Sequence, residues 1–206
     1  MHHLYRVYCA LELTNPTDRS KAILGLQKRL SQTFKSRADY GVIWGYFERT
    51  LLWQAKTPNS LSRIPYGDRR AVPSWSWMAC SGDIQYMDIP FRQVSWTGNP
   101  TNPIDSVSEG AEWDGQLAAE ASQLLIGGDD LLGRAVIDCN TFTFDSTAWR
   151  CIVVGKSKLA DENGDVIHYV MLVRPLGGLA QVYERVGVGR LLGTHISRET
   201  TSVYLR

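Results

Sequence analysis

The sequence has no long apolar run. Stretches such as Ile152-Val153-Val154 and Tyr169-Val170-Met171-Leu172-Val173 stop far short of the ~20 residues that a membrane-spanning helix needs. Charge of one sign is missing too: 22 basic residues stand against 21 acidic ones, a net charge of +1. Without a basic stripe, nucleic acid is excluded as an expected partner. The opening Met-His-His-Leu-Tyr-Arg holds none of the apolar core of a secretory signal. Cysteine is sparse, at Cys9, Cys80, Cys139 and Cys151, and no Cys-x-x-Cys spacing occurs. These thiols read as small buried hydrophobes in a reducing, cytoplasmic setting. Asn15, Asn99 and Asn102 all precede proline, so they form no N-glycosylation sequon. Phosphate-loop, His-Glu-x-x-His and Gly-x-Ser-x-Gly patterns are absent, and no cofactor or metal is expected. Gly187-Val188-Gly189-Arg190-Leu191-Leu192-Gly193 comes close to a dinucleotide loop. Its last glycine is one place late and no helix follows, so a strand with glycine kinks is the better reading. Asp129-Asp130 reads as a turn.

What the chain does have is aromatics: seven tryptophans and nine tyrosines in 206 residues. Large rings bury much area each and need partners for their polar tips, so the surplus serves a thick core or an apolar pocket. Asn15-Pro16-Thr17-Asp18 marks a helix start. Ala22, Ile23, Leu26, Leu30 and Phe34 then recur at helical spacing and predict a helix over 16–34. A short helix over 3–12 and another over 43–55 are expected, followed by a loop over 57–72 with a turn at Pro65-Tyr66-Gly67-Asp68 and an exposed Arg69-Arg70 pair. Ser74-Trp75-Ser76-Trp77 alternates with the period of a half-buried strand, which would put both indoles on one face. Further strands are expected at 84–86, 91–96, 123–126, 131–137, 150–156, 166–174, 183–191 and 202–205. A long polar loop fills 97–115, and Asp161-Glu162-Asn163-Gly164 forms a hairpin turn. The fold class that follows is α+β in a single domain over 1–206. Residues 1–60 are mainly helical and pack on a mainly antiparallel β-sandwich or open barrel formed by 73–206.

Several of these segments carry a family likeness. Pro73-Ser74-Trp75-Ser76-Trp77-Met78-Ala79, then Gly82-Asp83-Ile84-Gln85-Tyr86, resembles the region downstream of the HET domain in fungal heterokaryon incompatibility proteins. Leu51-Leu52-Trp53, Arg69-Arg70, the Leu13–Arg19 stretch and Tyr183-Glu184-Arg185-Val186-Gly187-Val188-Gly189 follow in the same layout. The likeness spans roughly Leu4 to Leu192. The motifs of the HET domain itself are absent, so the chain is expected to be a stand-alone tail. The signalling and nucleotide hydrolysis tied to that domain are not carried over.

A tail without its signalling domain, rich in aromatics and lacking cofactor motifs, suggests a cofactor-independent cyclase or isomerase of specialised metabolism. The resemblance extends to the norbornene-forming Diels–Alderase type, which implies a small apolar, terpenoid-like substrate. Such a reaction needs two π systems held in a reactive pose and a donor at a carbonyl. The donors would be Tyr86, His168, Tyr169 or Arg185, and Trp53, Trp75 and Trp77 would wall the pocket. The same residues have plainer readings: the tryptophans as the joint between helices and sheet, His168 as a satisfied strand histidine, and Glu184-Arg185 as a surface pair or an interior salt link. A non-catalytic protein-interaction module in non-self recognition is the alternative function, and a decayed fragment of a larger protein the third.

Overall fold

Asn15 caps the first long helical segment, its side chain accepting from Thr17 N at 3.2 Å. In the computed structural model, which describes all residues except 1, 12, 68–71, 102–113, 141–143, 146 and 162, that segment is broken. A 3-10 turn Pro16–Asp18 leads into helix α2 (Arg19–Ala22) and helix α3 (Leu24–Phe34), with Lys35 left-handed at the end (φ 48°). Helix α1 (His2–Cys9) precedes them. Asp68 of the turn expected at Pro65–Asp68, the Arg69-Arg70 pair and most of the 97–115 loop lie outside the described residues, as does Glu162 of the hairpin turn.

Strands β1 (Ala38–Asp39) and β2 (Val42–Ile43) form a small hairpin ahead of helix α4 (Phe47–Leu51). The helix expected over 43–55 therefore shrinks to α4 and a 3-10 turn at Trp44–Tyr46, and Trp53–Ala55 becomes strand β3. The reason is tertiary. Trp53, Gln54 and Ala55 pair with Tyr86, Gln85 and Ile84 of strand β6 (Ile84–Tyr86), and that pairing overrides a weak helix preference. Between them, strands β4 (Ser62–Arg63) and β5 (Cys80–Ser81) form another short pair.

The strand expected at Ser74–Trp77 is not formed. Trp75 sits in a turn and Trp77 opens a 3-10 helix, Trp77–Ala79. The two serines act as local hydrogen-bonding groups instead of marking the solvent side of a strand. Ser76 Oγ accepts from Met78 N (3.1 Å) and donates to Tyr40 O (2.6 Å). Ser74 Oγ accepts from Arg185 N (2.9 Å) and donates to Arg206 O. The indoles consequently enter different parts of the core.

The remaining strands are β7 (Val94–Trp96), β8 (Leu117–Leu124), β9 (Ala135–Ile137), β10 (Arg150–Ala160), β11 (Val166–Pro175), β12 (Val182–Leu192) and β13 (Ile196–Leu205). Helix α5 (Gly128–Leu132) replaces the turn expected at Asp129-Asp130. Their pairings run round a ring: β8 with β10, β10 with β11, β11 with β12, β12 with β13, and β13 back to β8. All but the β12–β13 contact are antiparallel. Strands β7 and β9 extend the sheet by pairing with β10 and β12.

Alternate residues of β11 go to opposite faces. Tyr169, Met171 and Val173 join Phe47, Leu51, Leu52 and Trp75, whereas Val170 and Leu172 join Leu131, Trp149, Val186 and Leu191. Trp53 and Trp77 belong to a third cluster with Tyr5, Cys9, Ile23, Cys80 and Cys139. Burial on both faces explains the near-continuous apolar run at 169–173.

Candidate functional site

The Gly-Val-Gly stretch of β12 lets another strand approach closely. A Cβ at Gly187 would lie 2.4 Å from Val136 O, and one at Gly189 would lie 3.2 Å from Ala135 Cβ. Strand β9 therefore pairs directly here, Val136 opposite Val188. This resolves the near-dinucleotide motif as strand glycines.

The same pairing delivers Asp138 to Arg185. Asp138 N donates to Val186 O at 2.9 Å, and Asp138 O accepts from Leu61 N at 3.0 Å. Arg185 is 0% exposed and Asp138 1%. Arg185 Nε donates to Asp138 Oδ2 at 2.9 Å, Nη1 to Leu51 O at 2.6 Å, and Nη2 to Trp53 O. Its guanidinium lies 3.5 Å from the Trp53 ring centroid. Glu184, the neighbour in sequence, turns the other way and pairs with Arg174 (2.7 Å) and Arg63 (3.5 Å). Arg185 thus ties α4, β3, β9 and β12 together. Nothing in the sequence singled out Asp138 as its partner, because they meet only through the β9–β12 pairing.

Trp53 Nε1 donates to Trp75 O (2.8 Å), Trp75 Nε1 to Gly115 O (2.8 Å) and Trp77 Nε1 to Gly41 O (3.1 Å). All three indoles are fully buried and satisfied. Tyr169 is buried beneath the same elements, while His168 points to the opposite face of β11 and is half-buried. His168 Nδ1 lies 3.0 Å from Val166 O, and burial lowers its pKa. Tyr86 stands opposite Trp53 in the β3–β6 pair, and His2 stacks on it at 3.8 Å with the rings 6° apart. The Tyr86 ring is half-buried, but its hydroxyl is buried and has no hydrogen-bond partner among the described residues. Burial pushes that phenol well above its ordinary pKa and takes the His2 imidazole down to about 4.

Of these residues, Tyr86 alone borders the main cleft. That cleft, of about 640 Å³, runs between the β3–β6 pair and the β9–β12 pair. Met87, Val136, Ile167, Val188 and Leu192 give it an apolar floor. Gln54, Gln85, Tyr86, Asp88, Arg134, Asp161 and Arg190 supply polar groups. Apart from Tyr86, none of them was expected as a site residue, since they come from strands and loops far apart in the chain and follow no shared spacing.

No family model matches the chain, and no curated protein or solved structure matches it either. Among the described residues, no helix is long and apolar enough to cross a membrane.

Proposed function

We propose that the cleft is a small-molecule site, and that the protein acts there as a cofactor-independent cyclase or isomerase of the HET-tail kind. The observation that carries this reading is the cleft itself. Its 640 Å³ lies within the roughly 300–1,000 Å³ typical of small-molecule pockets, and a few polar groups converge on an apolar floor. Holding a flexible substrate in one reactive pose removes much of the entropic barrier, on the order of 7 kcal/mol or more in well-oriented systems. The Gln54 and Gln85 amides provide donors for a carbonyl whose charge grows during reaction. In this arrangement Trp53, Trp75, Trp77, Tyr169 and Arg185 support the cleft from the core behind it. Four free, buried cysteines agree with a cytoplasmic home.

The test is direct. Purified protein is mixed with small-molecule extract from its own cells, and retained compounds are identified by mass spectrometry. The expected result is one retained compound, converted without added cofactor to an isomer of equal mass, and loss of both effects in Gln85→Trp, which fills the cleft. No retention and no conversion would overturn the enzyme reading. The alternative, a protein-interaction module, is favoured by a different feature. Leu4, Val7 and Leu11 are 43%, 49% and 55% exposed along α1 and just beyond it. That reading expects a protein partner whose binding is lost in Val7→Glu.

A further inference from the structure

The cleft carries two arginines that the β9–β12 pairing sets side by side. Arg190 N donates to Arg134 O at 3.0 Å, one step beyond the Gly189–Ala135 register pair. The two side chains therefore occupy directly opposite cross-strand positions on one face of β9 and β12, an arrangement that is unfavourable for like charges. Both residues are exposed and both line the cleft. Neither makes an ion pair among the described residues. Arg190 Nη2 donates to the Asp88 carbonyl, which orients the side chain without cancelling its charge.

Asp88 and Asp161 also line the cleft, but neither forms an ion pair with the two arginines among the described residues. Asp161 is turned toward its own hairpin, accepting from Asn163 N at 2.9 Å and Asp165 N at 2.8 Å. Asp88 is exposed. Directly beside the arginines, on the same face, Val136 stands opposite Val188. Met87 and Ile167 continue the apolar surface. Charge and hydrophobicity are thus separated along the cleft.

Resting on the reading of the cleft as a small-molecule site, we propose that its ligand is an amphiphilic carboxylate. The head lies between Arg134 and Arg190, where planar guanidinium groups match a carboxylate's two oxygens. The apolar body lies along Val136, Val188, Met87 and Ile167. No bond is made or broken in this step; it is recognition by charge and apolar contact.

The experiment uses three probes of equal chain length: octanoate, octanol and octylamine. Each is titrated into isotope-labelled full-length protein, and amide shifts are followed by NMR. Octanoate is expected to move the amides of Val136, Val188, Arg190 and Gln85 to saturation, binding about tenfold more tightly than octanol through its charge-assisted contacts. In the Arg134→Gln/Arg190→Gln double variant that advantage disappears, while octanol binding stays as it was. Both positions are exposed, so the variant keeps its fold, which the unmoved core amides verify. If octanol matches octanoate at these amides, or octylamine exceeds it through Asp88 and Asp161, the carboxylate assignment falls and the small-molecule site stands. If none of the three probes moves the cleft amides, both fall together.

Discussion

At the scale of single residues, Arg185 shows how a buried charge is kept. Its guanidinium meets one carboxylate, two main-chain carbonyls and one indole face, so desolvation is met on every side. Removing the carboxylate leaves the cation stranded. Asp138→Ala is therefore expected to destabilise the protein by about 3–5 kcal/mol, measured by urea unfolding at neutral pH. A loss below about 1 kcal/mol, the usual worth of an exposed pair, would show that Arg185 reaches water. His2 makes a second residue-scale prediction. The unfolded imidazole takes a proton near pH 6.5 and the folded one only near pH 4, because burial opposes the charge. As pH falls, the unfolded state binds the proton first. Stability held above pH 6.5 is thus lost between pH 6.5 and about 4. In His2→Phe, which keeps the ring on Tyr86, the urea midpoint should drop less across that window than in the parent. Equal drops would mean that His2 is not buried neutral.

At the scale of elements, the sequence was legible wherever a pattern stayed local. The Asn15 cap, the apolar face of α3, the 166–174 strand and the Asn163-Gly164 hairpin turn all depend on neighbours in the chain, and Gly164 takes the positive φ (84°) that such a turn uses. The Ser-Trp-Ser-Trp segment departs from its strand-like pattern for an equally physical reason. Polar–aromatic alternation has the period of a strand, but a serine hydroxyl also closes turns, and only tertiary contacts choose between the two. Ser76 tests the outcome. It is fully buried and links Met78 N to Tyr40 O. Ser76→Ala should cost about 1–3 kcal/mol, the penalty for leaving a buried carbonyl without its donor. A strand serine on the solvent side would cost almost nothing, so calorimetry of this one variant separates the two structures.

At the scale of the whole molecule, the ring of β8, β10, β11, β12 and β13 is the frame on which everything else is mounted. Helix α4 packs on one face of it and α5 with Trp149 on the other. The four cysteines lie inside this packing, and burial takes the Cys9 and Cys151 thiols up to about 12. Labelling with iodoacetamide at pH 8 should therefore leave the folded protein unmodified and mark all four thiols once urea unfolds it. Rapid labelling in the native state would show that these cores open. Composition and local periodicity determined the α+β class, the helix start at Asn15, most strands and the lack of any apolar run long enough for a membrane-spanning helix, because each depends on residues close along the chain. Tertiary structure alone decided that the tryptophans pack in separate clusters, that Arg185 meets Asp138, and that Arg134 meets Arg190 beside a cleft. Those meetings depend on which strands become neighbours, and strand pairing is a property of the folded chain that no local spacing encodes.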